Sequence, residues 1–234
     1  MKPITLFLLL SAWIYGGIPN TRQLMVVTSS SWSASSGTLQ RYEKRGGKWV
    51  KTGRRISVKL GRKGLGWGRG LHTIPKGAHP IKREGDGKGV AGIFRLKNAF
   101  GYYPFKAKYP YRVYKATDHC VDDTQSRYYN RIVDSKRVKH DYRSFEHMRF
   151  AKNYYKYGIV VDHNNAFGTS RAKRGAGSCI FLHIKSRPTA GCTVMSEAQI
   201  KTIIRWLDPA KYPLLVQGPK KIVGGLLRQM GMVR

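Results

Sequence analysis

The sequence predicts a mainly β fold, and three observations support this. Residues 38–60 contain the β-prone runs TLQRY, KWV and RISVKL, separated by turn residues as in antiparallel hairpins. The apolar runs GIVVDHN (158–164) and SCIFLHI (178–184) have the composition of buried strands. A chain of 234 residues with 41% hydrophobic residues is able to bury a core of this kind.

The amino-terminal residues predict export. Lys2 is followed by the apolar run Ile4–Ile14 and two glycines, the pattern of a signal peptide. The run is shorter than the roughly 18 to 20 residues that cross a bilayer, so a spanning helix is the less favoured alternative. No small-x-small cleavage site follows, and an uncleaved anchor therefore stays open. We expect residues 1–18 to direct export of the chain.

Composition divides the rest of the chain into three parts. Residues 19–37 include the Ser-rich stretch TSSSWSASSG, which is typical of a flexible linker. Residues 38–217 form the expected folded domain, and its last strand is YPLLVQ (212–217). Residues 218–234 are expected to be a basic surface tail, with a membrane-surface contact as the alternative.

One helix is predicted with clear start and stop signals. Ser196 and Gln199 form a capping box, and Pro209 ends the element. The apolar residues that fall on one face at helical spacing are Ile200, Ile203, Ile204 and Leu207. The polar and aromatic segment 118–148 has no clear period, and a short helix is expected at 144–148.

The charge of the chain predicts an affinity for polyanions. Lysine and arginine number 44 against 12 acidic residues, which gives a net charge of +32. Because export argues against a genomic partner, we expect an anionic envelope surface and no nucleic acid. The alternative is a solvated basic surface with no specific partner. No specific protein partner is predicted.

The three cysteines are an odd count for an oxidising compartment. One disulfide and one free thiol are therefore expected, with Cys120 and Cys179 as the candidate pair. In a reducing cell all three would be free.

Cys192 and His183 are the candidate catalytic residues. Cys192 lies just before the predicted helix, where the helix dipole favours negative charge, and Gly191 permits close approach of a substrate. An imidazolium at His183 would lower the pKa of the thiol and make it a standing nucleophile. The N–H groups of Gly191 and Cys192 would hold an oxyanion, as acyl transfer through a thioester requires.

Two other interpretations of these residues remain open. The first is that Cys192 is a small buried residue and His183 a core histidine with satisfied hydrogen bonds, an interpretation that the surrounding turn and helix start make less favoured. Zinc bound by His163, Cys179, His183 and Cys192 is a further alternative, although no C-x-x-C or H-x-x-x-H spacing supports it. We expect no metal and no cofactor.

The motif FLHI followed by TAGCTVM resembles the Ser/Thr-His-Gly-Cys motif of the L,D-transpeptidases with a YkuD-type catalytic domain. The segments SGTLQRYEKRGGKWVKTG, KREGDGKGVAGIF and YGIVVDHN extend the likeness to a periplasmic branch of that family, over residues 37–217. The resemblance implies a two-sheet β-sandwich with a helix after the cysteine turn and a few short flanking helices.

The resemblance also implies roles for individual residues. Cys192 would be the nucleophile, His183 its base and acid, Gly191 part of the oxyanion turn, and Thr189 the Ser/Thr of the motif. Ala190 departs from the motif, which has histidine there, and Val194 stands where arginine is frequent. His163 or Asp162 would then compensate as a substrate contact, unless His163 is purely structural.

The implied substrate is the tetrapeptide stem of peptidoglycan. Cys192 would attack the carbonyl of residue three and release the terminal D-alanine, and an amine of a second stem would resolve the acyl-enzyme into a 3-3 cross-link. Resolution by water would make the protein an L,D-carboxypeptidase. The alternative from another class is a non-catalytic basic protein that binds the cell wall or another polyanion.

Overall fold

The computed structural model describes residues 20–166, 171–230 and 232. The expected signal peptide, residues 1–18, lies outside these residues. The strands are β1 Gln23–Ser29, β2 Ser36–Arg45, β3 Lys48–Lys59, β4 Leu65–Trp67, β5 Gly89–Gly101, β6 Tyr111–Val113, β7 Asp118–Val121, β8 Ile132–Asp134, β9 Phe145–His147, β10 Tyr157–Val161, β11 Phe181–Ile184, β12 Thr193–Met195 and β13 Leu214–Pro219. The helices are α1 Glu197–Trp206 and α2 Lys220–Gln229, with 3-10 turns at Asn153–Tyr155 and Pro209–Lys211.

The main sheet closes on itself. Eight strands follow one another in the order β10, β11, β12, β3, β2, β1, β13, β5, and β5 pairs with β10 to complete the ring. Closure is possible because β5 is long enough to pair with β13 through its first part and with β10 through its second. The mainly β prediction is confirmed, but the sheet is barrel-like and not the expected two-sheet sandwich.

Three hydrophobic clusters hold the fold together. The largest cluster contains residues from every strand of the ring, such as Met25, Leu182 and Leu215. It therefore fills the interior of the ring. Helix α1 adds Ile200, Ile203 and Ile204 to that cluster, and Leu207, directly after the helix, also belongs to it. Its start at Ser196, with the capping box to Gln199, is confirmed. A second cluster, around Phe181 and Cys192, lies on the outer face of β11 and β12.

The third cluster contains residues from both ends of the chain, and it shows that the predicted linker and the predicted surface tail are both part of the fold. Strand β1 lies inside the interval 19–37 that was expected to be a linker, and it pairs with β2 and in parallel with β13. Helix α2 occupies the expected tail at 218–234 and buries Val223 and Leu226 against β1 and β13. The folded unit therefore extends beyond residues 38–217 in both directions.

A separate three-stranded sheet covers the outer face near β11. It has the order β8, β7, β9, and β9 replaces the short helix expected at 144–148. Pairing of Phe145 with Val121 favours the extended backbone there. Among the described residues, the helices are too short or too polar to cross a membrane.

Candidate active site

A cavity of about 430 Å³ lies where the turn before β12 meets β11 and the three-stranded sheet. Cys192 and His183 both line it. Its other walls include Tyr155 from the 3-10 turn, Glu84 from the loop before β5, and Glu146 from β9. Segments distant in sequence thus converge on one concave space, as they do at ligand sites.

A threonine holds the turn that carries Cys192. Thr189 Oγ1 accepts a hydrogen bond from the Gly191 N–H at 3.1 Å and donates one to the Cys192 carbonyl at 2.6 Å. The Thr189 backbone in turn bonds to Leu60 and Arg62, just after β3. Because the turn itself uses the Gly191 N–H, the expectation that this group faces an oxyanion is wrong. Of the two N–H groups that were expected to hold the oxyanion, that of Cys192 is the remaining candidate.

The sulfur of Cys192 is buried and protonated. Only 6% of the residue is exposed, and Sγ accepts a hydrogen bond from the Phe181 N–H at 3.3 Å and donates to the Cys179 carbonyl at 3.4 Å. Burial raises the pKa of the Cys192 thiol, and the negative charge of Glu146 raises it further. The expected standing thiolate is therefore wrong for this structure.

His183 is held in one orientation by two carbonyl groups. Its Nδ1 lies 3.2 Å from the Tyr154 oxygen and 3.1 Å from the Ile184 oxygen. Carbonyl oxygens only accept hydrogen bonds, so Nδ1 carries the proton and Nε2 has a free lone pair. Burial lowers the pKa of His183 to about 4, which leaves the imidazole neutral at pH 7. No hydrogen bond reaches Nε2 from the described residues.

His183 lies on β11, and Cys192 immediately precedes the parallel strand β12; both line the same cavity. His183 pairs with Val194, which is two residues after Cys192. If the pairing is continued to Cys192, with strands about 4.8 Å apart and a rise of about 3.3 Å per residue, the two Cα atoms are separated by roughly 8 Å. The described residues contain no hydrogen bond between the imidazole and the sulfur, which bonds to Cys179 and Phe181 instead.

The remaining two cysteines form a disulfide beside the cavity. Cys120 of β7 is joined to Cys179, with their Cα atoms 6.0 Å apart, and Cys192 is free. The bond attaches the three-stranded sheet to the segment that leads into β11. Cys179 is therefore not available as a zinc ligand.

Three carboxylates in the cavity were missed by sequence analysis. Glu84 accepts hydrogen bonds from Tyr129 at 2.5 Å and Ser178 at 2.7 Å. Glu146 accepts one from Tyr155, and Asp122 accepts one from Ser144. Burial raises the pKa of Glu146 to about 7 and also raises that of Asp122.

The sequence contained a signal for only one of these three acidic residues. Glu84 lies in KREGDGKGVAGIF, a segment that carries the family resemblance, so its position was a usable signal. Asp122 and Glu146 lie in the stretch with no period, and only the pairing of β7 with β9 brings them to the cavity.

Lys82, a fourth residue that sequence analysis missed, supplies positive charge beside the turn. Its side chain is 3% exposed and its Nζ lies 2.6 Å from Asp86 Oδ1. A methyl group on Gly191 would lie 3.7 Å from the same Nζ. The ammonium group is therefore close to the backbone that a substrate carbonyl would approach.

His163 and Asp162 do not contact this cavity, which corrects their expected role. His163 is fully buried, its Nδ1 accepts from the Arg69 N–H at 3.1 Å, and its Nε2 lies 3.0 Å from the Ala176 oxygen. Asp162 lines a different cavity, together with Arg95. Ala190 is exposed at the mouth of the Cys192 cavity, with no histidine in its place.

Neither a scan against protein-family models, nor a search of curated proteins, nor a search of solved structures finds a match to this chain.

Proposed function

We propose that the protein is a cysteine acyltransferase, an L,D-transpeptidase that acts on peptidoglycan stem peptides and forms 3-3 cross-links. The observation that carries the proposal is the placement of Cys192 and His183 on one cavity, with His183 Nε2 free to take a proton. The resemblance of TAGCTVM and FLHI to the transpeptidase motif supports the substrate class.

In the proposed acylation, His183 acts as a general base. The thiol turns from the Cys179 carbonyl towards Nε2, transfers its proton there, and the sulfur attacks the carbonyl carbon of residue three. The imidazolium then gives that proton to the amine of the departing D-alanine. The Cys192 N–H and the ammonium group of Lys82 stabilise the oxyanion.

The proposed second step restores the enzyme. Neutral His183 removes a proton from the attacking amine of a second stem peptide, the new amide bond forms, and the carbon–sulfur bond breaks. The imidazolium returns the proton to the Cys192 sulfur. The free thiol and neutral imidazole of the resting site are thus regenerated.

Location in the periplasm belongs to the same proposal. The Cys120–Cys179 disulfide supports it, because such bonds persist in oxidising compartments. The basic surface suits binding to an anionic envelope.

Mass analysis of muropeptides after incubation with the purified protein tests the function. We expect cross-linked dimers from wild type and unchanged substrate from Cys192→Ala. Trimmed tripeptides without dimers would indicate the carboxypeptidase instead. Unchanged substrate with wild type, together with intact binding to sacculi, would indicate a non-catalytic binder.

A further inference from the structure

A cavity of about 350 Å³, called the basic cavity below, lies at the carboxyl end of β10. Four cationic residues line it: Arg69 of the loop after β4, Arg95 of β5, and Arg171 and Lys173 of the loop between β10 and β11. The basic cavity shares no lining residue with the cavity that holds Cys192. The proposed acyl transfer therefore gives it no role.

The charge of the four cationic side chains is not balanced by ion pairs. All four residues are exposed, and none of them forms an ion pair within residues 20–166, 171–230 and 232. Like charges around one space repel one another, and an anion placed among them relieves that repulsion. Guanidinium groups present paired N–H donors that match the oxygens of phosphate and carboxylate. The basic cavity therefore suits an anionic group.

Asp162 indicates a second property of the ligand. It lines the basic cavity with the four cations, yet its Oδ1 atom is buried and has no hydrogen-bond partner among the described residues. A carboxylate oxygen only accepts hydrogen bonds, so a buried one is expected to meet an N–H or O–H group. A ligand that fits must then carry a hydrogen-bond donor beside its anionic group.

Hydrogen bonds fix the backbone on two sides of the basic cavity. Asn164 is 2% exposed, and its side chain donates to the carbonyls of Lys173 and Gly177 at 2.9 and 3.0 Å. The Lys173 N–H donates to Asn164 Oδ1 at 3.0 Å, and the Asp162 N–H donates to the Arg95 carbonyl at 2.9 Å. Because these bonds hold the lining residues in place, a ligand loses little affinity to ordering of the backbone.

We propose that the basic cavity binds a phosphate ester of a polyol or sugar, with the phosphate among the arginines and a neighbouring hydroxyl group on Asp162. A phosphate group offers several oxygens to N–H donors and so suits three guanidinium groups better than a single carboxylate does. The hydroxyl donates to Asp162 Oδ1, whereas an anion without a donor meets only repulsion from that carboxylate. This binding site is independent of the proposed acyl transfer.

The remainder of a larger ester has room beside the basic cavity. An adjoining space of about 310 Å³ shares Arg69 and Lys173, and its wall includes the apolar side chains of Ile74 and Ile81. The same polyol phosphate chemistry is present in free esters and in the headgroups of lipids, so both sources are compatible with the two spaces.

NMR titration of the full chain at an ionic strength of about 0.15 M tests the site with two soluble probes. Glycerol 3-phosphate carries hydroxyl groups beside its phosphate, and methyl phosphate has the same charge without them. We expect glycerol 3-phosphate to bind about tenfold more tightly, since hydrogen bonds to charged groups are the stronger class. Asp162→Ala should abolish that preference and leave methyl phosphate bound at least as tightly, because the repelling charge is gone.

Arg95→Gln should weaken the binding of both probes about tenfold, because it removes a charge-assisted hydrogen bond. Arg55→Gln is the matched control, since Arg55 is an exposed residue of β3 outside the basic cavity. It should change the binding of neither probe. Equal affinity for the two probes, or equal effects of Arg95→Gln and Arg55→Gln, would overturn the inference.

Sedimentation with phosphatidylglycerol vesicles separates the two sources of the ester. If a lipid headgroup occupies the basic cavity, Arg95→Gln should reduce sedimentation more than Arg55→Gln does. If a free ester is the ligand, the two variants should sediment alike while the preference for glycerol 3-phosphate persists. Muropeptide turnover reports on the other cavity, and Arg95→Gln should leave it unchanged.

Discussion

Removal of the Cys120–Cys179 disulfide should cost the protein much of its stability. The bond closes a loop of 59 residues that contains β8, β9 and the second half of β7. The chain-entropy relation for a loop of that length gives about 14 cal/mol/K, or about 4 kcal/mol at 25 °C. This compares with a total of about 5 to 15 kcal/mol for a typical domain.

The assay is urea unfolding of Cys120→Ala/Cys179→Ala against the oxidised parent. Both proteins should carry Cys192→Ala, so that the free thiol does not exchange with the disulfide. We expect the free energy of unfolding to fall by about 4 kcal/mol, and reduction of the parent to produce the same fall. A loss below about 1 kcal/mol in both cases would refute the loop-closure reasoning.

Two further predictions concern the site itself. Thr189→Val keeps the shape of the side chain but leaves the buried Gly191 N–H and Cys192 carbonyl without their partner, so stability should fall by about 2 to 4 kcal/mol in urea unfolding. Thr189→Ser retains the hydroxyl group and should lose far less; equal losses would contradict this account. If His183 is the base, kcat/KM should fall with acid around pH 4, where the buried imidazole takes up a proton, and a fall centred near the ordinary value of about 6.5 would argue against it.

Local signals were sufficient for some elements of the fold. Helix α1 begins at its capping box because Ser196 and Gln199 satisfy each other's backbone groups within one turn. The apolar runs of β10 and β11 were also recognisable, since strands buried on both faces carry few polar residues.

Elements that depend on distant partners were not predictable in this way. Strand β1 lies in a segment read as a linker because of its Ser-rich end, and it is stabilised by β13 from the far end of the chain. Strand β9 has no pattern of its own and is extended because β7 pairs with it. Closure of the ring depends on the pairing of β5 with β10, which no local signal encodes.

The same distinction between local signals and distant partners applies to the candidate site. Cys192 and His183 were identifiable because a short motif contains both. Their protonation states were predicted wrongly, because desolvation depends on what packs around them and the sequence does not display burial. Glu146 lies more than forty positions before Cys192 and reaches the cavity only through the added sheet.

The parallel pairing of β1 with β13 has a consequence for the order of folding. Leu24 lies opposite Leu214, so the ring is incomplete until nearly all of the chain is available. Contacts between such distant positions are slow to form. Before they form, β2 and β5 each present an unpaired edge to other chains. Truncation at either end should therefore yield aggregation-prone material, and nascent chains are expected to stay without stable tertiary structure until the last strand arrives.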